Sequence, residues 1–353
     1  MFTVSRVNPS LTKAVALLSG LLLVAFSHSN GKWSPVKHSR VWHLRTALRS
    51  RTKSSRELPD DSDLPALQAM REGHLSVGGE PMEFRLRGYT PGLRAVVEAR
   101  AGERRVAVKS YADDPSDEAA LYQLLAGITE VRAPRLLAWD SELRVIVMSW
   151  LDGPTAQELI KSGRGERAGQ LAARWIRCAA TWPVTLGRPF GVARMLERAR
   201  RWVAKLAAAD PALGSAAAEL TAQLARVPPN EDTRRLVHGS LYTRHVLDLG
   251  DAVGLLDWDR FGQGPAELDA GMFLATLWRT RLRDPSLADE VERAEAAFRA
   301  GIAGLVEARA LAWHRAAALL RYAERGLKRN AGNGRSEIGV LLAEAKRLAE
   351  VAG

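Results

Sequence analysis

The tightest constraint on this chain is a pair of short apolar runs that face each other across a turn, one of them ending in a carboxylate. Val253-Gly254-Leu255-Leu256 reads as a buried strand, and Asp257 ends it abruptly. Val246-Leu247-Asp248-Leu249 precedes it and reads as its hairpin partner, with Gly250-Asp251 as the turn. Just upstream, Leu236-Val237 leads into His238-Gly239-Ser240-Leu241-Tyr242-Thr243-Arg244-His245. A carboxylate at a strand end can project into a cleft and hold a cation. Alone, such an aspartate is more often a strand terminator or a turn cap. With His238-Gly239 before it and Asp269 after it, in Glu267-Leu268-Asp269-Ala270-Gly271, the ligand reading is preferred.

The N-terminal half carries an independent signal. Arg104-Arg105-Val106-Ala107-Val108-Lys109-Ser110-Tyr111 alternates as a half-buried strand with a lone lysine near its end. Nine positions on, Glu118 opens an apolar-periodic helix that Gly127 stops. Upstream, residues 85–99 read as a hairpin turning at Pro91-Gly92. Downstream, Arg144 to Pro154 reads as a buried strand, with Met148 and Trp150, running into a turn. A lysine after a strand is ordinarily a solvated residue, but a strand lysine, a helix glutamate and the His-Gly loop in this order are jointly rare.

These stretches resemble the aminoglycoside/choline-kinase-like phosphotransferases, which have a protein-kinase-like fold, over roughly residues 80–285. The family's loops read H-G-D-L-x-x-x-N and then I-D-[WF]-[DE]. The resemblance implies an α+β, two-lobed fold: a small antiparallel-sheet N-lobe with one helix, and a large mostly helical C-lobe. Phosphoryl transfer needs charge neutralised on the phosphates and an aligned acceptor hydroxyl more than covalent help. By resemblance Lys109, held by Glu118, binds the phosphates of ATP, and Met148 and Trp150 lie at the hinge that binds adenine. Asp257 matches the carboxylate that holds Mg²⁺ with the β/γ-phosphates. His238 matches the histidine that supports the loop from behind, and Asp269 the aspartate that caps and anchors it.

Two positions depart from the pattern. Ser240 stands where the family carries its catalytic aspartate, and His245 where it carries a metal-binding asparagine. A serine hydroxyl is a poor base near neutral pH, and Mg²⁺ prefers oxygen to imidazole. The first expectation is therefore a kinase-fold protein that binds ATP and is impaired or inactive in phosphoryl transfer, acting as a binding or regulatory module with a protein partner. The second is an active kinase for a small-molecule hydroxyl acceptor, with Asp259 as the alternative base. The third is a membrane-associated binding module without nucleotide.

Composition bounds the rest. The chain of 353 residues carries a net charge of +11, but residues 1–56 hold ten of its 51 Lys and Arg and no acidic residue, leaving 41 basic against 40 acidic residues. The body is thus no basic nucleic-acid binder. Cys178 is the only cysteine, so no internal disulfide forms, and it reads as a buried small apolar residue. Ala14 to Phe26 is a mostly apolar run of thirteen residues, short for a span of about 20. It reads as a membrane-proximal anchor, a secretory signal or the product of a mis-assigned start. The site favours a cytoplasmic location, and the segment a membrane-associated one. The expected organisation is an extension over 1–62 with its junction at residues 59–63, an N-lobe over 63–150 and a C-lobe over 151–353.

From Thr155 the pattern is helical, over 156–181, 193–209, 213–224, 267–281, 287–309, 311–327 and 336–350. Arg321-Tyr322-Ala323-Glu324-Arg325 reads as a solvated mixed-charge face. That even balance of charge argues against a polycationic acceptor, which calls for a carboxylate-rich pocket.

Overall fold

The computed structural model describes residues 26–29, 32–35, 58–73, 82–182, 184–231, 234–327 and 334–353. The chain divides into two compact units, Met1–Arg45 and Thr46–Gly353. In the first, β1 (Phe26–Ser29) pairs antiparallel with β2 (Lys32–Pro35). The apolar run from Ala14 lies outside the described residues up to its last position. Among the described residues no helix is long and apolar enough to cross a membrane.

The second unit opens with α1 (Pro65–Arg71), which leads into β3 (Glu83–Thr90), β4 (Arg94–Ala101) and β5 (Arg104–Tyr111). After α2 (Ser116–Leu125) and the short β6 (Val131–Arg132) come β7 (Leu136–Asp140) and β8 (Val145–Ser149). The five long strands form one antiparallel sheet in the order β3-β4-β5-β8-β7. The two-residue alternation of strands explains its two faces. Ala95, Val97, Ala99, Val106 and Val108 are buried in the apolar layer. Arg94, Glu98 and Lys109, at alternate positions, take the other face. The β3–β4 turn is tied down by Asp61, whose carboxylate accepts the Tyr89 hydroxyl at 2.8 Å and the Gly92 amide at 2.9 Å.

The large lobe follows with α3 (Ala156–Lys161), α4 (Gly165–Thr181), α5 (Val192–Ala209) and α6 (Pro211–Arg226). Next come β9 (Arg235–Val237), β10 (Val246–Asp248), β11 (Val253–Leu255) and β12 (Gly262–Gly264). Helices α7 (Ala266–Arg283), α8 (Ala288–Gly301), α9 (Ala308–Gly326) and α10 (Gly334–Ala352) close the chain. The sequence-predicted hairpin is β10–β11, with Val246 opposite Leu255, and β11 also pairs parallel with β6 of the small lobe. The arrangement is the α+β, two-lobed fold that the resemblance implied.

Two expected helices are broken. The run 156–181 divides at Gly163, whose φ of +78° lies in the left-handed region, and 287–309 stops after Gly301, with Gly304 at φ +76°. Both breaks fall where a glycine takes a conformation that side chains disfavour. Glu307 then starts α9 by accepting the amides of Arg309 and Ala310 at 2.9 and 2.6 Å.

Two cores result. One gathers Trp175, Trp258, Phe273 and Phe298 from α4, the loops, α7 and α8 beneath the cleft. The other gathers Trp202, Trp313, Leu319 and Leu341 from α5, α9 and α10. Helix α9 is buried on almost every side, so Arg321 and Glu324 belong to the interior. This corrects the reading of that run as a solvated face: a helix carrying Leu, Ala and Trp all round has no face left for water. Cys178 is half-buried on α4.

Helices α4 and α8 meet so closely that a Cβ on Gly169 would lie 2.9 Å from the backbone nitrogen of Phe298 and collide with the Ala294 carbonyl. Backbone cannot yield as a side chain can. Gly169→Ala should therefore destabilise the protein by about 1–3 kcal/mol through overpacking, outweighing the helix-propensity gain of about 1 kcal/mol. Denaturant unfolding checks this, and a neutral or stabilising result would refute the close approach.

Candidate active site in the interlobe cleft

Asp269 opens the interior of α7, and its buried carboxylate organises the loop before it. Oδ2 accepts the backbone amide of His238 at 2.6 Å and the Trp175 indole N–H at 3.1 Å; Oδ1 accepts the Gly239 amide at 2.8 Å. Burial raises its pKa despite these donors and the nearby His238. Gly239 sits at φ +70°, and a Cβ there would lie 2.7 Å from the Phe190 ring and against the Arg260 carbonyl. Only glycine satisfies both conditions at once. Trp258 packs edge-on against Trp175 at 5.3 Å and lies 4.7 Å from the His238 ring.

The two histidines are fixed by opposite nitrogens. His238 Nε2 faces the Leu256 carbonyl at 2.8 Å, so it carries the proton and Nδ1 is left to accept the Ser240 hydroxyl at 3.3 Å. His245 Nδ1 faces the Ser240 carbonyl at 2.9 Å, which leaves Nε2 aimed at Asp257 Oδ2, 3.5 Å away. Burial drives the His245 pKa well below its ordinary value, against the pull of Asp257. The ring is therefore neutral at pH 7, and its bare Nε2 confronts a carboxylate oxygen. Ser240 itself is 1% exposed.

Asp257 is the meeting point of the lobes. Its Oδ1 lies 3.3 Å from Lys109 Nζ and 3.2 Å from Arg94 Nη1. Lys109 also contacts Glu118 Oε1 at 2.7 Å, and Glu118 Oε2 accepts the Tyr111 hydroxyl at 2.8 Å. Burial alone would raise the Asp257 pKa, but the charges of Lys109 and Arg94 hold it far below the usual carboxylate range. Lys109 is likewise desolvated, yet Glu118 and the neighbouring acids keep it protonated well above its ordinary value. Asp257 adopts φ +66°, a left-handed conformation that aspartate tolerates better than most residues, and its ion pairs compensate the strain.

Three other candidates are differently placed. Asp259 is ion-paired to Arg94 and lies 4.0 Å from Arg260. Met148 is buried in β8, opposite Ala107. The Trp150 ring is covered by the Arg105 guanidinium at 3.8 Å, with Arg87 at 5.7 Å. A base approaching that ring would have to displace Arg105, which also reaches Asp152 at 2.9 Å. Beside it, Glu98 is enclosed by Arg105, Arg100 and Arg87, which overcome its desolvation and bring its pKa to about 2.

Sequence reasoning missed Arg94, which it took for part of a hairpin, and Arg198 and Arg321, which look like ordinary helix charges. The one available signal for Arg321 was its place directly after the apolar stretch Ala316-Ala317-Ala318-Leu319-Leu320. For cation binding, the cleft offers the Asp257 carboxylate and the His245 Nε2 lone pair. No three His, Cys, Asp or Glu side chains gather into a metal site among the described residues. That donor set fits a cation arriving with phosphate oxygens and waters, rather than an all-protein cage.

Asp269→Ala would leave three buried N–H donors without a partner, each costing about 1–3 kcal/mol. The expected result is a loss of several kcal/mol in denaturant unfolding, with Asp269→Asn, which keeps one acceptor oxygen, retaining part of it. A loss below 1 kcal/mol, on the order of one exposed hydrogen bond, would show that the loop does not depend on this carboxylate.

The fold has solved counterparts. A choline kinase, LicA from Streptococcus pneumoniae, is 12% identical, with TM-score 0.56 over 76% of this chain and 94% of its own. A putative aminoglycoside phosphotransferase from Ralstonia eutropha is 17% identical, with TM-score 0.55 over 81% and 97%. A thermostable mutant of the aminoglycoside phosphotransferase APH(4)-Ia, solved as a ternary complex with ADP and hygromycin B, is 15% identical, with TM-score 0.52 over 83% and 99%. Among curated proteins none matches. The sequence profile of the phosphotransferase enzyme family matches residues 95–319, nearly two thirds of the chain, and to that family the chain belongs.

Proposed function

We propose that this protein binds ATP with a divalent cation in the interlobe cleft and is impaired in transferring the phosphoryl group. The observation that carries the reading is the bridge from Glu118 through Lys109 to Asp257, a lysine and two carboxylates brought together from two lobes. Lys109 and Arg94 would face the phosphates, and Asp257 would supply the one carboxylate to the cation that accompanies them. Bound there, such a cation neutralises phosphate charge. The solved relative crystallised with ADP supports a nucleotide in a cleft of this fold.

The weak link is the acceptor side. Ser240 offers a buried hydroxyl that donates to His238, not a carboxylate. Losing a general base costs about 10²–10⁴-fold in rate. Asp259, the spare carboxylate, is engaged by Arg94. A module that binds nucleotide without turning it over quickly can serve a regulatory or protein-binding role.

Thermal unfolding of the full chain titrated with ATP and Mg²⁺ tests the binding claim, because a ligand of the folded state raises the midpoint with its concentration. The expected result is a cation-dependent rise that Asp257→Asn removes. No rise up to millimolar ATP would end the nucleotide reading. Since imidazole suits Zn²⁺ and similar cations better than Mg²⁺, the rise should be larger with Zn²⁺, and His245→Asn should narrow the difference.

Ser240→Asp combined with His245→Asn tests the catalytic claim. ATP turnover with a hydroxyl acceptor should increase by about 10²-fold or more. If the wild type already turns over such a substrate and Asp259→Ala abolishes it, the impaired reading fails.

A further inference from the structure

A cavity of 570 Å³ opens beside Asp259, and its two walls carry opposite charge. Asp113, Asp114 and Asp117, at the start of α2, stand on the small-lobe wall; Arg194 and Arg198 of α5 and Arg260 stand on the other. Arg94 and Asp259 pair across one edge of the cavity, but among the described residues Asp113, Asp114 and Asp117 form no ion pair with Arg194, Arg198 or Arg260.

The arginines are not neutralised where they sit. Arg198 lies over the Phe190 and Trp202 rings at 5.3 and 5.5 Å and forms no ion pair among the described residues. Arg194 reaches the Pro189 carbonyl, at 3.5 Å, and the Phe190 ring; the one carboxylate that acts on its charge, Glu197, already pairs with Arg201 at 3.5 Å. Arg260 has Asp259 at 4.0 Å, but that carboxylate already holds Arg94. Behind them Arg321, 4% exposed, makes one long bond of 3.5 Å to the Gly239 carbonyl. Burial, with Arg321, Arg260 and Arg194, pushes the Arg198 pKa down to about 9. Burial, with Arg260 and Arg325 working against Tyr242, brings Arg321 to about 10. Like charges collected in a partly desolvated place without counter-ions weaken the fold, and an anion would relieve them.

We propose that Arg194, Arg198 and Arg260 hold the anionic end of a phosphate-bearing small molecule in this cavity. Guanidinium forks match phosphate geometry in a way that a point charge does not. The acidic wall opposite sets the ligand's orientation, its phosphate toward α5 and a neutral or cationic part toward α2. A wholly cationic ligand is excluded from the arginine wall. That this molecule is the companion of a nucleotide rests on the proposed function; that an anion binds here does not.

The test is the unfolding midpoint of the full chain titrated with inorganic phosphate, against sodium chloride at matched ionic strength. The wild-type midpoint should rise by about 2–4 °C or more in a saturable way beyond chloride. Arg198→Gln and Arg194→Gln should each lose most of that response, and Asp257→Asn should keep it. Arg198→Gln should unfold cooperatively at or above the wild-type midpoint without phosphate, because it removes a repelled charge, so its lost response reports binding rather than misfolding. Hygromycin B, a cationic probe, should give no rise.

A phosphate response no larger than that of chloride would overturn the proposal, as would a full response in both arginine variants. A response lost in Asp257→Asn but kept in the arginine variants would place the anion among the nucleotide phosphates, which refutes this site and leaves the nucleotide reading standing. A response that depends on Arg198 in a protein that ignores ATP would do the reverse.

Discussion

The carboxylate of Asp269 is the contact on which the cleft depends. A buried carboxylate is costly unless donors surround it, and here two consecutive backbone amides and an indole N–H do so. In exchange it fixes the direction of His238-Gly239. From that fixed point the rest follows by geometry: Gly239 turns in the left-handed region, His238 reaches the Leu256 carbonyl, and the chain between β11 and Asp257 is held. The Trp175–Trp258 pair beneath it links α4 to the same loop, so the interior of the large lobe and the loop share one framework.

Upon that framework the cleft separates its charges. Along one side, Glu118, Lys109, Asp257 and Arg94 alternate in sign and satisfy one another across the lobes. Farther along, Arg198 and Arg321 have no such alternation, and burial among like charges depresses both of their guanidinium pKa values. Ser240 lies between these regions. Its hydroxyl is satisfied by His238, so the loop loses nothing structurally by lacking a carboxylate there. Supporting the loop and activating an acceptor are separable tasks, and the first does not require the second.

Legibility in the sequence followed the range of the interactions involved. The β10–β11 hairpin and the strand of Lys109 were readable because alternation and turn chemistry act over a few residues. Helix extents were readable except at two breaks, which hold the left-handed residues Gly163 and Gly304 within runs whose apolar pattern continues. By resemblance Trp150 lies at the hinge; that Arg105 from β5 covers its ring was not legible, because a contact across the sheet has no local signature. Arg94 was invisible for the same reason: its two carboxylates lie more than 160 positions away.

What the sequence determined by itself was the family framework: a strand lysine, a helix glutamate, a His-Gly loop and a strand-ending aspartate, in an order that only a two-lobed fold brings together. It also determined the two substitutions that separate this chain from its pattern, Ser240 and His245, because residue identity needs no coordinates. Only the tertiary structure decided which charges meet. Arg198 and Arg321, on helices more than a hundred positions apart, resemble any solvated helix arginine in the sequence. Burial, and the lack of an ion pair to either among the described residues, exist only once the helices have packed, and they turn the two into an unneutralised cluster.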